Sequence, residues 1–220
     1  MAQLKKLTDI NLDKNKTAIV CGKGPSISRL SEFLYNKSLK DFYFFSINTA
    51  YRLMPKADYI SLADLNKLDE MDYDPMVYED TDNYIIPLVF RHNILPDHPS
   101  GRVVESDKTY NYLLEKLKNY NSNIFTYKLF TQDRKVITDT NKQDDFLIEY
   151  CRSNIQCCII WAIKAGLKHF EIFGTSRSRE YAKNFIDRKE DNGIPNQWFA
   201  SNYDLTVNIL EKNNCTYNIY

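Results

Sequence analysis

Residues 17–26 read TAIVCGKGPS, and this stretch decides how the rest of the sequence is interpreted. Its first half, Thr17–Cys21, is an apolar run that is followed at once by glycine, lysine, glycine, proline and serine. A short apolar run that ends in turn residues is typical of a buried strand. The apolar spacing of Ser26–Tyr35 then predicts a helix. The stretch therefore predicts a strand, a tight turn and a helix, the unit that builds α/β sheets.

The turn after this strand has the composition of a phosphate-binding site. Two glycines let the backbone approach a ligand closely, and a helix begins where phosphates are favoured by the helix dipole. Ser26 is expected to cap that helix. The expected nucleotide contacts are Gly22, Lys23, Gly24, Pro25 and Ser26. The spacing fits neither the dinucleotide fingerprint nor the P-loop, and an ordinary strand-to-helix turn is the alternative.

Apolar runs alternate with amphipathic segments along the chain. This alternation predicts a Rossmann-like α/β domain over residues 1–220, with a mostly parallel sheet and helices on both faces. The expected strands are Thr17–Cys21, Phe42–Ile47, Tyr59–Ala63, Tyr84–Val89, Ile124–Leu129, His169–Phe173 and Thr216–Ile219. The expected helices are Ser26–Tyr35, Lys108–Tyr120, Asp144–Ala165, Arg179–Lys189 and Gln197–Lys212. Residues 64–102, acidic and then proline-rich, are expected to form a lid or a small acceptor lobe.

Composition excludes several classes of protein. Lys and Arg number 29, as do Asp and Glu, and this balance disfavours non-specific nucleic-acid binding. The five cysteines are odd in number and never spaced as C-x-x-C, so they are read as reduced and mostly buried. No apolar stretch reaches the roughly 20 residues that a membrane span needs. The first residues lack the apolar core of a secretory signal, and a cytoplasmic location is expected.

Polar residues follow two further strands, where the carboxyl ends of parallel strands place ligands. Asn48 follows Phe42–Ile47 and is expected to hold a ribose or a base edge. Asp64 follows Tyr59–Ala63 and is expected to take a proton, bind a metal or accept from a sugar hydroxyl. His92 is a second candidate base if its loop folds over the site. Loop capping is the alternative for Asn48 and Asp64, and a surface loop position is the alternative for His92.

Two later runs add hydroxyls, an amide and arginines, one at a second helix start and one at the carboxyl end of a strand. Ser153 and Asn154 open the apolar part of a long helix, where plain helix capping is the alternative. Residues 174–179 read GTSRSR after the strand His169–Phe173. Arginine pairs well with phosphate oxygens, and a solvated surface is the alternative. The candidate residues here are Gly174, Thr175, Ser176 and Arg179 for nucleotide binding and Arg177 for catalysis.

With these residues assembled, the chain resembles a superfamily that joins bacterial lipooligosaccharide sialyltransferases to the 6-hydroxymethylpterin pyrophosphokinase-like family. The likeness begins with the strand-G-x-G-P-S-helix pattern of Thr17–Tyr35. It continues in SINTA at residues 46–50, in the P-x-A-D-Y step at Pro55–Tyr59 that leads to Asp64, and in the helix, glycine and strand of Ser153–Gly174. These blocks occur in order and cover about half of the chain.

The resemblance implies a GT-A-like fold in which the glycine turn, Asn48, Ser153 and Asn154 bind the nucleotide of an activated donor. In the sialyltransferases that donor is CMP-linked and no metal is needed. The family commonly has glycine, a hydrophobic residue and aspartate after its last strand, with a histidine downstream in the sialyltransferases. Here Gly174 is followed by threonine, serine and arginine, and no histidine follows. The sialyltransferase base, and sialic acid with it, are therefore not implied.

These patterns predict a glycosyltransferase that moves a sugar from a nucleotide-sugar co-substrate to a hydroxyl acceptor, with no metal. The acceptor is a glycan, or a hydroxymethylated DNA base if the source is a phage. Lys23, Arg177 or Arg179 and the helix-start amides would stabilise the leaving phosphate. Asp64 or His92 would deprotonate the acceptor. One alternative is a pyrophosphokinase that acts on a pterin-like alcohol with Mg²⁺ on Asp64. Another is a nucleotide-binding module without catalysis.

Overall fold

The computed structural model describes residues 3–5, 10–62, 83–87, 123–129, 146–148, 153–178, 180–183 and 196–220. The strands in these ranges are β1 (Gln3–Lys5), β2 (Thr17–Cys21), β3 (Phe42–Ile47), β4 (Tyr59–Ser61), β5 (Asn83–Pro87), β6 (Asn123–Leu129), β7 (Phe146–Ile148), β8 (His169–Phe173) and β9 (Thr216–Ile219). The α-helices are α1 (Leu30–Leu34), α2 (Asn154–Lys164) and α3 (Asn196–Lys212). Shorter 3-10 segments are Pro25–Arg29, Leu39–Asp41 and Asn48–Leu53.

The strands form one sheet in the order β1-β6-β5-β4-β3-β2-β8-β9, with β7 beside β6. Every pairing between the described strands is parallel. The predicted α/β class with a mostly parallel sheet is therefore confirmed. The order of the strands reverses between β2 and β8, because β3 to β6 extend to one side of β2 whereas β8 and β9 lie on the other. Open α/β sheets bind ligands at such a switch point, at the carboxyl ends of the strands.

Both faces of the sheet are buried around β2 and β3. On one face, Ala18 and Val20 of β2 join a core that includes Trp161 of α2 and Leu210 of α3. On the other face, the alternate residues of the same strand pack with the segment that follows it, which includes Ile27. Burial on both faces explains why the strands read as nearly continuous apolar runs. It also directs their polar residues to the strand ends.

The strand predictions were largely correct. β2, β3, β8 and β9 have the predicted bounds, whereas β4 is shorter than predicted and β5 and β6 begin one residue early. The predicted helix Asp144–Ala165 is wrong at its start, because Phe146–Ile148 is strand β7 and α2 begins at Asn154. A three-residue apolar run fits a strand or a buried helix equally well, so periodicity does not separate them.

The helix predictions need further correction. The predicted helix Ser26–Tyr35 is a 3-10 segment that begins at Pro25 and passes into the short helix α1. Of the predicted helix Arg179–Lys189, the structure describes residues 180–183. Residues 180–182 are not helical, because the Ala182 amide donates to the carbonyl of Lys23 at 2.8 Å. The predicted helix Gln197–Lys212 is confirmed as α3, and Lys108–Tyr120 lies outside the described residues.

Of the expected lobe at residues 64–102, the structure describes only β5, which is a strand of the central sheet. The rest of that segment lies outside the described residues. In the part of the chain that the structure describes, no helix combines the length and apolar character that crossing a bilayer requires.

Candidate functional site

The two backbone segments that meet at the switch point are bonded directly to each other. The Gly22 amide donates to the Phe173 carbonyl at 2.8 Å, and the Gly24 amide donates to the Gly174 carbonyl at 2.8 Å. The Gly174 amide in turn donates to the Ser26 hydroxyl at 2.8 Å. We call Gly22, Gly24, Ser26 and Gly174 the glycine joint. It connects the carboxyl ends of β2 and β8.

Steric contact explains why glycine occupies these positions. A Cβ atom added to Gly22 would lie 2.5 Å from the Gly174 carbonyl oxygen, and one added to Gly24 would lie 2.8 Å from it. Gly174 itself has a φ of +67°, in the left-handed region that favours glycine. The two segments can therefore approach only because neither carries a side chain at the contact.

The joint corrects one expectation from the sequence and accounts for two amides of the turn. The amides of Gly22 and Gly24 each donate to a carbonyl of the β8 side. Ser26 is not the helix cap, because Gly24 holds the cap position and the Ser26 hydroxyl bonds the Gly174 amide. The glycine turn is in large part a packing device.

Residues after β8 also cover the turn at Lys23. Ala182 is buried, and its amide is bonded to the Lys23 carbonyl. The Lys23 ammonium lies 5.4 Å from the centre of the Tyr181 ring, within the range of a cation–π contact. The positive charge of the turn is therefore held over an aromatic face.

A second polar group lies at the carboxyl ends of β3 and β4, and we call Ser46, Asn48, Ser61 and Asn154 the asparagine cluster. Asn154 Nδ2 donates to the Ser61 carbonyl at 2.8 Å and to Asn48 Oδ1 at 3.2 Å. The Ser61 hydroxyl donates back to Asn154 Oδ1 at 2.8 Å. These bonds connect residues from three separate parts of the chain. Asn48 and Asn154, which the resemblance assigns to one nucleotide, are thus in direct contact.

Local backbone conformation places Asn48 in this cluster. Its φ is +52°, a left-handed value that asparagine tolerates better than most residues. Its carbonyl accepts from the Ser46 hydroxyl at 3.1 Å. Ser46 and Ser61 are fully buried, whereas Asn48 and Asn154 are only partly buried. The two carboxamides therefore form the accessible part of the cluster.

Helix α2 begins at this cluster. Ser153 is its cap residue, Asn154 is its first residue, and its first turn holds no acidic side chain. Gln156 completes one half of a capping box, because its Oε1 accepts from the Ser153 amide at 3.2 Å. The Ser153 hydroxyl provides the other half, because it faces the backbone amide of Gln156. The positive end of the α2 dipole thus faces the asparagine cluster.

Arg177 is held by helix α3 in this structure. Its guanidinium forms an ion pair with Asp204 and lies 4.8 Å from the centre of the Tyr203 ring. Ser176 donates to the Ser178 carbonyl at 2.9 Å, within the same loop as Thr175. A role for Arg177 at a phosphate would therefore require it to leave Asp204.

Three predicted residues, Asp64, His92 and Arg179, lie outside the described residues. Within the described ranges, no group of three or more His, Cys, Asp or Glu side chains could hold a metal ion. Cys21, Cys157 and Cys158 are free and buried. Burial raises the pKa of the Cys21 and Cys158 thiols well above the ordinary value, so these thiols are poor nucleophiles.

Sequence reasoning missed Ser46, Ser61 and Gln156. Ser46 and Ser61 are serines near the ends of otherwise apolar strands, and both are fully buried. Because buried hydroxyls are normally hydrogen-bonded, a serine in such a run signals a bond to a neighbouring loop or helix. Gln156 lies in the apolar run that follows Asn154. An uncharged polar residue at the third position of a helix is the capping-box signal that would have identified it.

Comparison with known proteins gives no match, whether with protein-family models, curated proteins or solved structures. The resemblance to the sialyltransferase-related superfamily therefore stays a prediction. The function has to be argued from the geometry of the site.

Proposed function

We propose that the chain binds a nucleotide-activated sugar at the asparagine cluster and transfers the sugar to a hydroxyl acceptor. The observation that carries the proposal is the meeting of Asn48, Ser61 and Asn154 at the start of α2. The cluster lies at the carboxyl edge of a parallel sheet, on the strands next to the switch point. We also propose that the fold is Rossmann-like and GT-A-like.

Carboxamides suit a nucleotide because they offer both donors and acceptors to ribose hydroxyls and base edges. Asn154 Nδ2 has its two hydrogens directed at Ser61 and Asn48, so Asn154 acts mainly by orienting its neighbour. Its bond to Asn48 Oδ1 turns the Nδ2 group of Asn48 away from Asn154. Asn48 Nδ2 is therefore the donor that we assign to the nucleotide.

The phosphate is expected at the first turn of α2. Amides at a helix start carry partial positive charge and bind anions, and no acidic side chain opposes this in the first turn of α2. In the glycine joint, by contrast, the amides of Gly22 and Gly24 already donate to the carbonyls of Phe173 and Gly174. The start of α2 is thus a better candidate for the phosphate than the glycine turn that the sequence favoured.

The proposed reaction breaks the bond between the anomeric carbon and the phosphate oxygen. The nucleotide leaves with the electron pair and is stabilised at the α2 start. The acceptor oxygen forms the new bond to the anomeric carbon, and its proton goes to Asp64 or His92. The acceptor is a glycan, or a hydroxymethylated DNA base if the source is a phage.

A thermal-shift panel tests nucleotide binding. The panel contains CMP, UDP, GDP, ATP and nucleotide sugars, each with and without Mg²⁺. A ligand at about 100 times its Kd contributes about 2.7 kcal/mol of stability, which gives a visible shift. A shift without metal by a nucleotide sugar supports the proposal, whereas a shift by ATP that needs Mg²⁺ points to the pyrophosphokinase. Absence of any shift would contradict nucleotide binding.

A matched pair of variants locates the site. Asn48→Asp keeps the acceptor for Asn154 and tolerates the left-handed backbone, but it removes the Nδ2 donor and adds a negative charge. Asn36→Asp makes the same change at an exposed residue with a φ of +61°, in the turn that leads to the amino end of β3. We expect Asn48→Asp to raise the nucleotide Kd at least tenfold and Asn36→Asp to leave it unchanged.

Turnover separates an enzyme from a binding module. The nucleotide sugar that gives the largest shift is incubated with the protein, with and without candidate hydroxyl acceptors, and release of the free nucleotide is followed by chromatography. Release that increases with an acceptor supports glycosyl transfer. Tight binding without release would favour the non-catalytic module.

A further inference from the structure

A buried polar network connects the start of α2 to helix α3. Gln156 of α2 is fully buried. Its Oε1 accepts from the Ser153 amide, and its Nε2 donates to the Asn202 carbonyl at 2.9 Å and lies 3.4 Å from Asn202 Oδ1. A buried carboxamide is costly unless it is hydrogen-bonded. Both polar atoms of the Gln156 carboxamide are hydrogen-bonded, Oε1 to the start of α2 and Nε2 to α3.

Helix α3 continues this network. The Thr206 hydroxyl donates to the Asn202 carbonyl at 2.8 Å, and both residues are buried. The same half of α3 supplies Tyr203 and Asp204, which hold Arg177. Helix α3 is therefore bonded to the α2 start through Gln156 and to the loop after β8 through Arg177.

One polar atom next to Gln156 has no hydrogen-bond partner among the described residues. It is Asn202 Nδ2, which is buried. Buried polar groups are normally hydrogen-bonded to protein, water or ligand. Asn202 is the residue of α3 that Gln156 contacts directly. The network is thus incomplete on the α3 side of Gln156, whereas the capping box closes it at the start of α2.

We infer that Gln156 is a positioning residue for the nucleotide site. Its Oε1 fixes the Ser153 amide, and its Nε2 fixes the distance of that helix start from Asn202. The first turn of α2, including Asn154, is thereby held ready for an anion. This inference rests on the proposed function, because it assigns a task to Gln156 in binding the same nucleotide.

The test compares three variants by nucleotide Kd, unfolding temperature and amide hydrogen exchange at Ser153. Gln156→Met keeps the length of the side chain and removes both bonds. Thr206→Val removes a different buried bond to the same Asn202 carbonyl and leaves Ser153 untouched. Gln156→Glu keeps the acceptor for Ser153 but loses the donor to Asn202 and adds a negative charge near the proposed phosphate.

We expect Gln156→Met to raise the Kd of the best nucleotide about tenfold and to speed exchange at Ser153 by a similar factor. Thr206→Val should lower the unfolding temperature by about as much as Gln156→Met does, but its nucleotide Kd should equal that of the parent. Gln156→Glu should restore slow exchange at Ser153 while its Kd also rises about tenfold. If Gln156→Met does not fold, Gln156→Glu keeps the inference falsifiable, because a parental Kd in a variant that loses the Asn202 bond and adds a negative charge would overturn it.

The outcomes separate this inference from the proposed function. If the parent binds a nucleotide but Gln156→Met and Gln156→Glu bind it as tightly as the parent, the positioning role is wrong and nucleotide binding stands. Equal Kd changes in Thr206→Val and the Gln156 variants would also overturn it, because the effect would then be general packing. If the parent binds no nucleotide in the panel, the proposed function fails, and the positioning role fails with it.

Discussion

The glycine joint and the asparagine cluster lie at the same edge of one sheet, but they are built from different kinds of bond. In the joint, two of the three bonds join backbone to backbone, with the amides of Gly22 and Gly24 donating to carbonyls of the β8 side, and the third runs from the Gly174 amide to the Ser26 hydroxyl. In the cluster, side chains meet, and the carboxamides of Asn48 and Asn154 are only partly buried. A glycine-rich turn after a strand therefore need not be a ligand cradle. The polar residues on the neighbouring strands are the better candidates here.

The largest effect is expected when the glycine joint is broken. A valine at position 24 would place its Cβ against the Gly174 carbonyl, which is backbone and cannot move aside cheaply. We expect Gly24→Val to lower the free energy of unfolding by about 3 kcal/mol or more. Denaturant unfolding measures this loss.

Ser28→Ala is the control for that variant. Ser28 lies in the same segment and is exposed, and its hydroxyl donates only to the local Pro25 carbonyl in the bonds described. We expect Ser28→Ala to change the free energy of unfolding by no more than about 0.5 kcal/mol. A Gly24→Val protein with parental stability but without nucleotide binding would contradict the packing role. It would indicate that the glycine turn binds the nucleotide.

Asn154→Ala should have the next largest effect, because it removes three hydrogen bonds of the asparagine cluster. The Ser61 hydroxyl and carbonyl, buried at the strand end, would lose their partner. We expect a loss of about 2 kcal/mol in the free energy of unfolding and at least a tenfold rise in nucleotide Kd. Calorimetric titration and denaturant unfolding on the same sample measure the two effects. An unchanged Kd in a destabilised protein would make the cluster purely structural.

Ser26→Ala sharpens the comparison from the side of the joint. The variant leaves the Gly174 amide without its acceptor, so we expect a loss of about 1 to 2 kcal/mol in the free energy of unfolding. Nucleotide affinity should not change, because the hydroxyl faces Gly174 rather than a ligand. A large fall in affinity with little loss of stability would show that Ser26 contacts the nucleotide after all.

The smallest effect is expected at high pH, away from both regions. Burial, followed by the hydrogen bond to Glu171 and its charge, raises the pKa of Tyr220 from 10.0 to about 12. The stabilising effect of this shift is complete below pH 10 and is lost as the pH rises from about 10 towards 12, because the unfolded chain releases the proton first. Tyr220→Phe should flatten this part of the stability profile. Tyr35→Phe, at a side chain that is 76% exposed, is the matched control, and equal slopes in both variants would argue against the shift.

Local patterns predicted the strands and the edge of the sheet where polar residues collect. Thr17–Cys21 was correct to the residue, because a run that is buried on both faces is nearly all apolar. His169–Phe173 was also correct to the residue, although His169 is exposed and Glu171 is half-buried. The 3-10 segment at Pro25 and strand β7 were missed, because both are too short for a periodic signal.

The internal bonding of the site was not predictable from local patterns. The contact of Gly24 with Gly174 and the bond of Ser61 to Asn154 join residues that are far apart in the sequence, and single-sequence patterns carry no information about such pairs. The resemblance did assign Asn48 and Asn154 to the same nucleotide, and the two side chains are in contact. No local pattern indicated that the amides of Gly22 and Gly24 donate to the carbonyls of Phe173 and Gly174.

Residue-resolved NMR titration tests the central claim most directly. The protein is titrated with the nucleotide sugar that gives the largest thermal shift, and the side-chain amides of Asn48 and Asn154 are assigned with the aid of Asn48→Asp. A nucleotide site at the asparagine cluster predicts saturable shifts of these amides and of the first amides of α2, with smaller changes at Gly22 and Gly24. The opposite pattern, with large shifts at the two glycines and none at Asn48 or Asn154, would contradict it.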